Sequence, residues 1–383
     1  MQVASTHSTP DAMPITSCPT DFLVDLARFY DESERALSFY FDSSNPTDIS
    51  HRQELIHLEN LIDAVRSHAP ANGELRDLKI IRSMTNEILL KPRIFRVAFL
   101  SESHDIRNLI ELPLACDIGL LEEGRRFRLA PLLRALESCT PYGVVLVENG
   151  KARVFSARGE DIHEWVNLIP VADVAVHAES HRGSWPSHVG ANAEDRARKF
   201  LHNVVAKVHQ LALSEDLEYI VIGCREDLRG KLEPDFAGVG LTQVRSFHIQ
   251  NFAASAYEVL HDAQPVFQSL REESYQAFWS SIEEAPERGA IGIAEVVQRL
   301  NEGRVRQLFL GNASFGQVLE CGRCGRGLLA QDGHCPSCSE SPLFPEPLEE
   351  WMVRRAILSG AQVIAEPSDR PHDPRAAGAL LRY

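Results

Sequence analysis

Four cysteines carry the one strong chemical pattern in the sequence. They stand as Cys321-Gly322-Arg323-Cys324, ten intervening residues, then Cys335-Pro336-Ser337-Cys338. Two Cys-x-x-Cys pairs let four thiolates converge tetrahedrally on one ion, and the Gly and Pro residues inside them permit the tight turns this requires. Ten residues is shorter than the commonest separation of such pairs, yet enough for a small ribbon hairpin. Four thiolates leave no open coordination position. The expected zinc, one per chain, is therefore structural, and its binding energy folds a segment too small to hold its own core. A redox dithiol pair and an iron–sulfur cluster use the same residue types and are the alternatives. His334 adjoins Cys335 and is assigned as a non-ligand. Arg323 and Arg326 on this ribbon either touch a phosphate or keep the tip soluble.

A second group of residues with chemical potential lies between Ala178 and Gln210. A loop reading His181-Arg182-Gly183-Ser184-Trp185-Pro186-Ser187-His188 runs into an amphipathic helix. Gly183 and Pro186 disfavour regular structure, which places Trp185 on an irregular tip. Asn192 is the expected N-cap, with Glu194 and Asp195 in the first turn. Phe200, Val204, Val208 and Leu211 then recur at helical spacing, widened by Leu201 and Val205, while Arg196, Lys199, Asn203 and Gln210 take the wet face. The stretch holds five Lys/Arg against three Asp/Glu, plus four histidines, in a chain of net charge -15. A locally cationic loop on an acidic protein approaches something anionic. The plainer reading is a surface loop ahead of a core-packing helix. His177, His181 and His188, with Asp173 and Glu179, offer a weak metal site without a helical face to organise it.

The elements that position these groups alternate between strand and helix. Val144 to Val147 and Ala152 to Phe155 flank Asn149-Gly150, the strongest short-range hairpin signal, because both turn positions need positive φ. Tyr219 to Gly223 and Val244 to Ile249 read as further strands, and a helix from about Ala253 to Leu260 closes a layered α/β unit. Before it, Phe39 to Asp42 and Arg93 to Leu100 read as strands. Leu55, Leu58, Ile62 and Val65 form a helical stripe, and Leu129 to Leu136 a short helix. After it, Gln268 to Ser281 reads as a polar helical connection and Gly292 to Leu300 as a helix capped beyond Asn301-Glu302 by Gly303. Gln307 to Leu310 is a strand, Pro347 to Leu358 a helix and Gln362 to Ala365 a strand. The expected organisation is multidomain α/β (α+β), three mixed domains after a disordered tail. The tail spans 1–20, the domains 21–140, 141–262 (with the loop at 178–192) and 263–383, the last an α/β sandwich with an inserted ribbon at 319–340.

Composition limits the function classes. At 383 residues and 44% hydrophobic content the chain fits two or three globular domains. No window approaches 18 continuous apolar residues, and the first 20 residues have neither a basic nor an apolar signal region. Cys18, Cys116, Cys139 and Cys224 are scattered singles, which fits reduced thiols and a cytoplasmic location, without membrane contact. Residues 1 to 60 hold ten Asp/Glu against three Arg, a solvated acidic face that rRNA would repel. Nucleotide-binding, Walker, nucleophile-elbow and metalloprotease motifs are absent. Cys224, following a buried strand, reads as a small core hydrophobe.

The order hairpin, loop, long helix, strand, short helix, strand, helix resembles the central domain of the archaeal and eukaryotic class-one peptide release factors and of Pelota. It is more similar still to their bacterial relatives, hibernation-factor type included, which end in a Gly-x-Gly-Ala-Leu-Leu-Arg-Tyr-like tail. This chain ends Ala377-Gly378-Ala379-Leu380-Leu381-Arg382-Tyr383. Matching stretches are Asn149 to Phe155, Val221 to Gly230 and Leu300 to Val305, and the likeness covers about residues 20–383. The resemblance implies binding to the ribosomal A site and the peptidyl-transferase region, with an elongation-factor GTPase as a further partner and a monomeric state. It makes Arg182, Gly183, Ser184, Trp185, His188, Arg196 and Lys199 the expected RNA contacts. Release factors carry Gly-Gly-Gln in the central loop, and here Gly183-Ser184-Trp185 stands in its place, with no glutamine before the helix. The expected role is thus non-hydrolytic occupancy, in hibernation or rescue, with no catalytic residue. The alternatives are a peptidyl-tRNA hydrolase using a divergent loop, and a zinc-ribbon adaptor that never meets the ribosome. The stop-codon-reading Asn-Ile-Lys-Ser run is also absent.

Overall fold

A computed structural model describes residues 13–14, 19–42, 48–66, 77–82, 94–113, 119–148, 150–168, 187–237, 240–241, 243–329, 334–339, 343–367, 370 and 375–383. It is a mixed α/β chain that divides into two compact units, residues 1–139 with 278–383, and residues 140–277. No helix among the described residues is long and apolar enough to cross a membrane.

The first unit opens with β1 (Met13–Pro14), α1 (Thr20–Arg28), β2 (Ala36–Asp42), α2 (Asp48–Arg66) and a helical stretch over 77–82 (α3). Then come β3 (Phe95–Ser101), β4 (Ile106–Leu112), β5 (Leu120–Gly124) and α4 (Ala130–Ser138). The strands form one sheet in the order β1-β4-β3-β2-β5. Period-two alternation gives β2 two buried faces: Leu37, Phe39 and Phe41 pack under Leu58, Ile62 and Val65 of α2. Ala36 and Tyr40 point the other way, into a core shared with α1 and α4. The stripe read in the sequence through Leu58, Ile62 and Val65 is that α2 face.

In the second unit β6 (Tyr142–Glu148) and β7 (Lys151–Arg158) form the expected hairpin, with Gly150 at φ +75. β8 (Asp161–Leu168), α5 (Ser187–Glu215), β9 (Tyr219–Cys224), α6 (Glu226–Ala237), β10 (Gln243–His248) and α7 (Ala256–Glu284) follow. The sheet order is β10-β9-β6-β7-β8, with β10, β9 and β6 parallel. One face packs on α5 and α6 through Val204, Val208, Leu211 and Phe236, the other on α7 through Val259, Leu260, Phe267 and Leu270. The result is a three-layer sandwich.

Two expectations need correction here. Asn192 is not a cap: it lies inside α5, which already begins at Ser187, just past Pro186. No proline follows in that turn, and a helix tolerates Gly190 at about 1 kcal/mol. The two helices expected at Ala253 to Leu260 and Gln268 to Ser281 are one continuous α7 that contains Pro265. Burial of Val259, Leu260, Ala263, Phe267 and Leu270 on both sides of the proline holds the helix through it, overriding the usual break. Residues 262 and 263 are therefore helical, and the compact units meet at 277/278.

The first unit resumes within α7 at Phe278 and adds β11 (Gly289–Ile291), α8 (Ile293–Asn301), β12 (Val305–Leu310) and the ribbon strands β13 (Gln317–Cys321), β14 (Gly327–Leu328) and β15 (Leu343–Pro347). It ends with α9 (Leu348–Leu358), β16 (Gln362–Ala365) and β17 (Ala377–Leu381). The Gly303 cap forms as read, at φ +68, its N–H donating to Leu300 O at 3.2 Å. β17 sits inside the sheet, between β11 and β12 and antiparallel to both. Its Gly378 passes so close to α7 that a Cβ would lie 2.4 Å from the Trp279 ring, which only glycine avoids. The tail that resembles the bacterial relatives is thus a core strand.

This last part shares a hydrophobic core with the beginning of the chain. Arg134 of α4, almost fully buried, donates to Glu349 at 3.0 Å, to Gly311 O at 3.1 Å and to Glu366 O. Glu350 of α9 accepts from the N–H groups of Leu129 at 2.7 Å and Ala130 at 3.2 Å, capping α4 from another element. Burial outweighs those donors and pushes the Glu350 carboxyl up to about 7. A folded-state value above the unfolded one means that the native protein holds the proton longer, so this stability is full below the unfolded value and lost as pH rises to about 7. Relative to Glu350→Gln, the wild type is expected to lose on the order of 3 kcal/mol between pH 4.5 and 7. Paired denaturant titrations across that range check this, and a pH-independent difference would contradict it.

Candidate metal centre

The ribbon is built on β13, which pairs antiparallel with β14 on one side and β15 on the other. Cys321 closes β13, and its N–H donates to Arg326 O at 2.9 Å while its carbonyl accepts from Gly325 at 2.8 Å. Gly325 takes φ +69, so the first Cys-x-x-Cys turns back on itself as the glycine allows. In the second pair, Ser339 N–H donates to Cys335 O at 2.8 Å. The two turns face each other.

All four Sγ atoms lie within 4.8 Å of one another. Cys321 and Cys338 are 3.5 Å apart, Cys324 and Cys335 3.5 Å, and Cys324 and Cys338 3.8 Å. A disulfide requires about 2.05 Å. Sulfurs held about 2.3 Å from a central ion at tetrahedral angles are spaced about 3.8 Å apart, which fits these distances. Cys321 and Cys335 are buried and Cys324 is exposed, so one edge of the cluster faces water. Burial pushes the Cys335 thiol up, but the N–H groups of Ser337 and Cys338, with the thiols of Cys324 and Cys338, outweigh it and hold the group down at about 6. The turn is thereby arranged to carry a thiolate, the form that binds metal. The four cysteines are the ligand set that can hold one metal ion, with no coordination position left for a substrate. His334 is exposed and stands outside that set.

Supports for the ribbon come from α8 and α9. The Asn301 amide donates to Gly327 O at 2.8 Å and accepts from Gly327 N–H at 3.0 Å. Trp351 Nε1 donates to Gly325 O at 3.1 Å, and its ring leaves no room for a Cβ at Gly327, which would fall 2.6 Å away. Arg354 reaches Glu320 of β13 at 2.6 Å and Glu346 of β15 at 2.8 Å. None of these supports was read from the sequence. The available signal was weak: Glu350 and Arg354 stand four residues apart on the helix read from Pro347, while Glu346 lies just before it, in a strand. Of the two ribbon arginines, Arg326 is half-buried, its Nε without a partner among the described residues, so it is not only a solubilising tip.

The structure brings the expected RNA contacts together only in part. Arg182, Gly183, Ser184 and Trp185 lie outside the described residues, as do His177, His181, Asp173 and Glu179. His188 falls within α5. Arg196 and Lys199 are exposed on α5, with Asn203 and Gln210, while Val204, Val205, Val208 and Leu211 are buried as the helical spacing predicts. Cys224 and Cys139 are buried singles.

Residues 128–268 match the family described as bacterial archaeo-eukaryotic release factor family 10. No curated protein sequence matches. Among solved structures, the archaeal translation termination factor aRF1 is 16% identical over 95% of this chain and 96% of that chain, at a TM-score of 0.25. Archaeoglobus fulgidus Pelota is 15% identical over 76% and 79%, at 0.34. S. cerevisiae Dom34, a translation termination-like factor, is 8% identical over 93% and 96%, at 0.44. These overlays are too loose to add weight, and the family match covers nearly all of the second unit, 140–277. On that match, residues 128–268 are release-factor-like, of the bacterial archaeo-eukaryotic type.

Proposed function

We propose that the protein is a cytoplasmic, ribosome-binding translation factor that occupies the A site without hydrolysing peptidyl-tRNA, in ribosome hibernation or in rescue of stalled ribosomes. The observation that carries this reading is the family match across residues 128–268, the segment in which the loop precedes α5. Within it, no glutamine stands between Gly183 and the start of α5 at Ser187, so the group that assists water in the release factors has no counterpart. The solvent face of α5, with Arg196 and Lys199, continues the cationic character of the loop toward an anionic surface. The ribbon cysteines hold zinc in this reading, as a structural ion. A GTPase that delivers the protein is the further partner.

Co-sedimentation with ribosomes from stationary-phase cells tests the proposal. Trp185→Ala and Arg182→Ala should each leave melting unchanged. Loss of a stacked base contact should weaken binding by about 1–3 kcal/mol, and loss of one phosphate contact should lower the salt slope by about one unit. The wild type should free no peptide from a programmed ribosome. Absence from the ribosome pellet would leave the zinc-ribbon adaptor as the better reading. Peptide release that depends on Trp185 or His188 would establish a hydrolase instead.

A further inference from the structure

The first unit contains a cavity of about 760 Å³ where the end of β5 meets the ribbon. Its walls include Tyr30, Arg125 and Arg126 from the early chain, and Arg323 and Phe344 from the ribbon. The sequence after β5 explains the clustering. In Gly124-Arg125-Arg126-Phe127-Arg128, Phe127 goes into the core against Phe29, which leaves the flanking arginines to line the space outside it.

Most charges in that space are already matched. Arg125 donates to Glu34 at 2.8 Å and lies 4.6 Å over the Phe344 ring. Arg128 pairs with Glu122, and Arg354 holds Glu320 and Glu346. Arg126 is held only by a long ion pair. Its nearest carboxylate oxygen, on Glu320, is 3.6 Å away, and its guanidinium donates no hydrogen bond among the described residues. It rests 4.9 Å over the ring of Tyr30, with its side chain 22% exposed. Burial, reinforced by the neighbouring Arg354, outweighs Glu320 and Glu346 and holds its pKa below the ordinary arginine value. A guanidinium has five donors in a planar fork, and few partners match that fork better than phosphate oxygens.

We propose that this cavity binds a single phosphate monoester, its oxygens on the Arg126 fork and its attached ring against Tyr30. Such a group occurs on a free mononucleotide and on the terminal phosphate of an RNA strand. A run of phosphates or an acidic peptide fits less well, because Glu32, Glu34, Glu320 and Glu346 also line the cavity and would repel an extended anion. The net charge of -15 acts against anions at long range, so recognition here is local and weakens modestly with salt. This site is independent of the ribosome reading, and either can fail without the other.

The test is calorimetric titration of the full, metal-loaded chain with inorganic phosphate, adenosine monophosphate and a 5′-phosphorylated tetranucleotide RNA. Binding of the monophosphate is expected, weakened at least about tenfold by Arg126→Ala, since a hydrogen bond to a charged group is at stake. Arg126→Lys should fall between, because it keeps the charge and loses the fork, and it carries the test if the alanine variant melts early. Glu32→Gln should bind no worse than the wild type. Binding of the phosphorylated RNA alone, still lost in Arg126→Ala, assigns the site to RNA ends. Failure of all three probes to bind at millimolar concentration, or equal binding by wild type, Arg126→Ala and Arg126→Lys, overturns the proposal.

Discussion

Removal of the metal, by chelation or by Cys335→Ser, is expected to release one zinc per chain and to lower the stability of the first unit by several kcal/mol. Structural zinc contributes about 10–16 kcal/mol of apparent binding energy in isolated zinc-finger peptides. Only part of that should appear here, because β13 and β15 also pair with each other without the ion. What the ion holds is the position of the two turns, and other groups depend on it. Gly325 O, in the first turn, is the acceptor for the buried Trp351 Nε1. Glu320, which precedes Cys321, pairs with Arg354. If the turns open, a buried donor and a buried cation lose their partners, and each such loss costs about 1–3 kcal/mol or more. Cys321→Ser and Cys338→Ser should behave like Cys335→Ser. Cys139→Ala and Cys224→Ala should keep the full zinc content, since these buried thiols lie outside the cluster. Elemental analysis and thermal melting on the same preparations decide the matter. A metal-free chain that melts with the wild type would refute the structural role, and iron in place of zinc would revive the cluster alternative.

How much was legible in the sequence depended on whether the deciding forces were local. Asn149-Gly150, Gly303 and the strand Gln362 to Ala365 were read correctly because turn chemistry and short apolar runs act over a few residues. The four cysteines were legible for the same reason, since ligand spacing fixes the turns directly. By contrast, α7 continues through Pro265 because residues on both sides bury against a sheet formed earlier in the chain. β8 was missed: most of its residues are exposed, and Glu164 and Trp165 interrupt the alternation of Ile162, Val166 and Leu168 that marks a half-buried strand. The tail strand was seen only as a resemblance, because its insertion between β11 and β12 depends on Trp279 leaving room at Gly378. The join of the first and last segments through Arg134 and Glu350 links positions more than 200 residues apart, where no spacing rule reaches.

Arg354→Ala is expected to be the most damaging single change outside the cysteines. Arg354 is 4% exposed and sits between Glu320 at 2.6 Å and Glu346 at 2.8 Å, joining α9 to two strands of the ribbon. Removing it leaves two carboxylates facing each other in a poorly hydrated space, with Arg126, 3.6 Å from Glu320, as the remaining ion-pair partner among the described residues. Breaking a buried ion pair from one side costs about 3–5 kcal/mol, because the remaining charge is uncompensated. Replacing the whole group is a different matter. A buried pair exchanged for apolar residues of similar volume is often neutral, since its desolvation penalty disappears with it. Arg354→Met combined with Glu320→Leu and Glu346→Leu should therefore recover much of the loss. The comparison is a mutant cycle: coupling between Arg354 and Glu320 should reach about 1–3 kcal/mol, as expected of groups in direct contact. Additive effects, or a loss below about 1 kcal/mol in Arg354→Ala, would mean that the ribbon is held by its metal, Asn301 and Trp351 alone, and that Arg354 only fills space beside them.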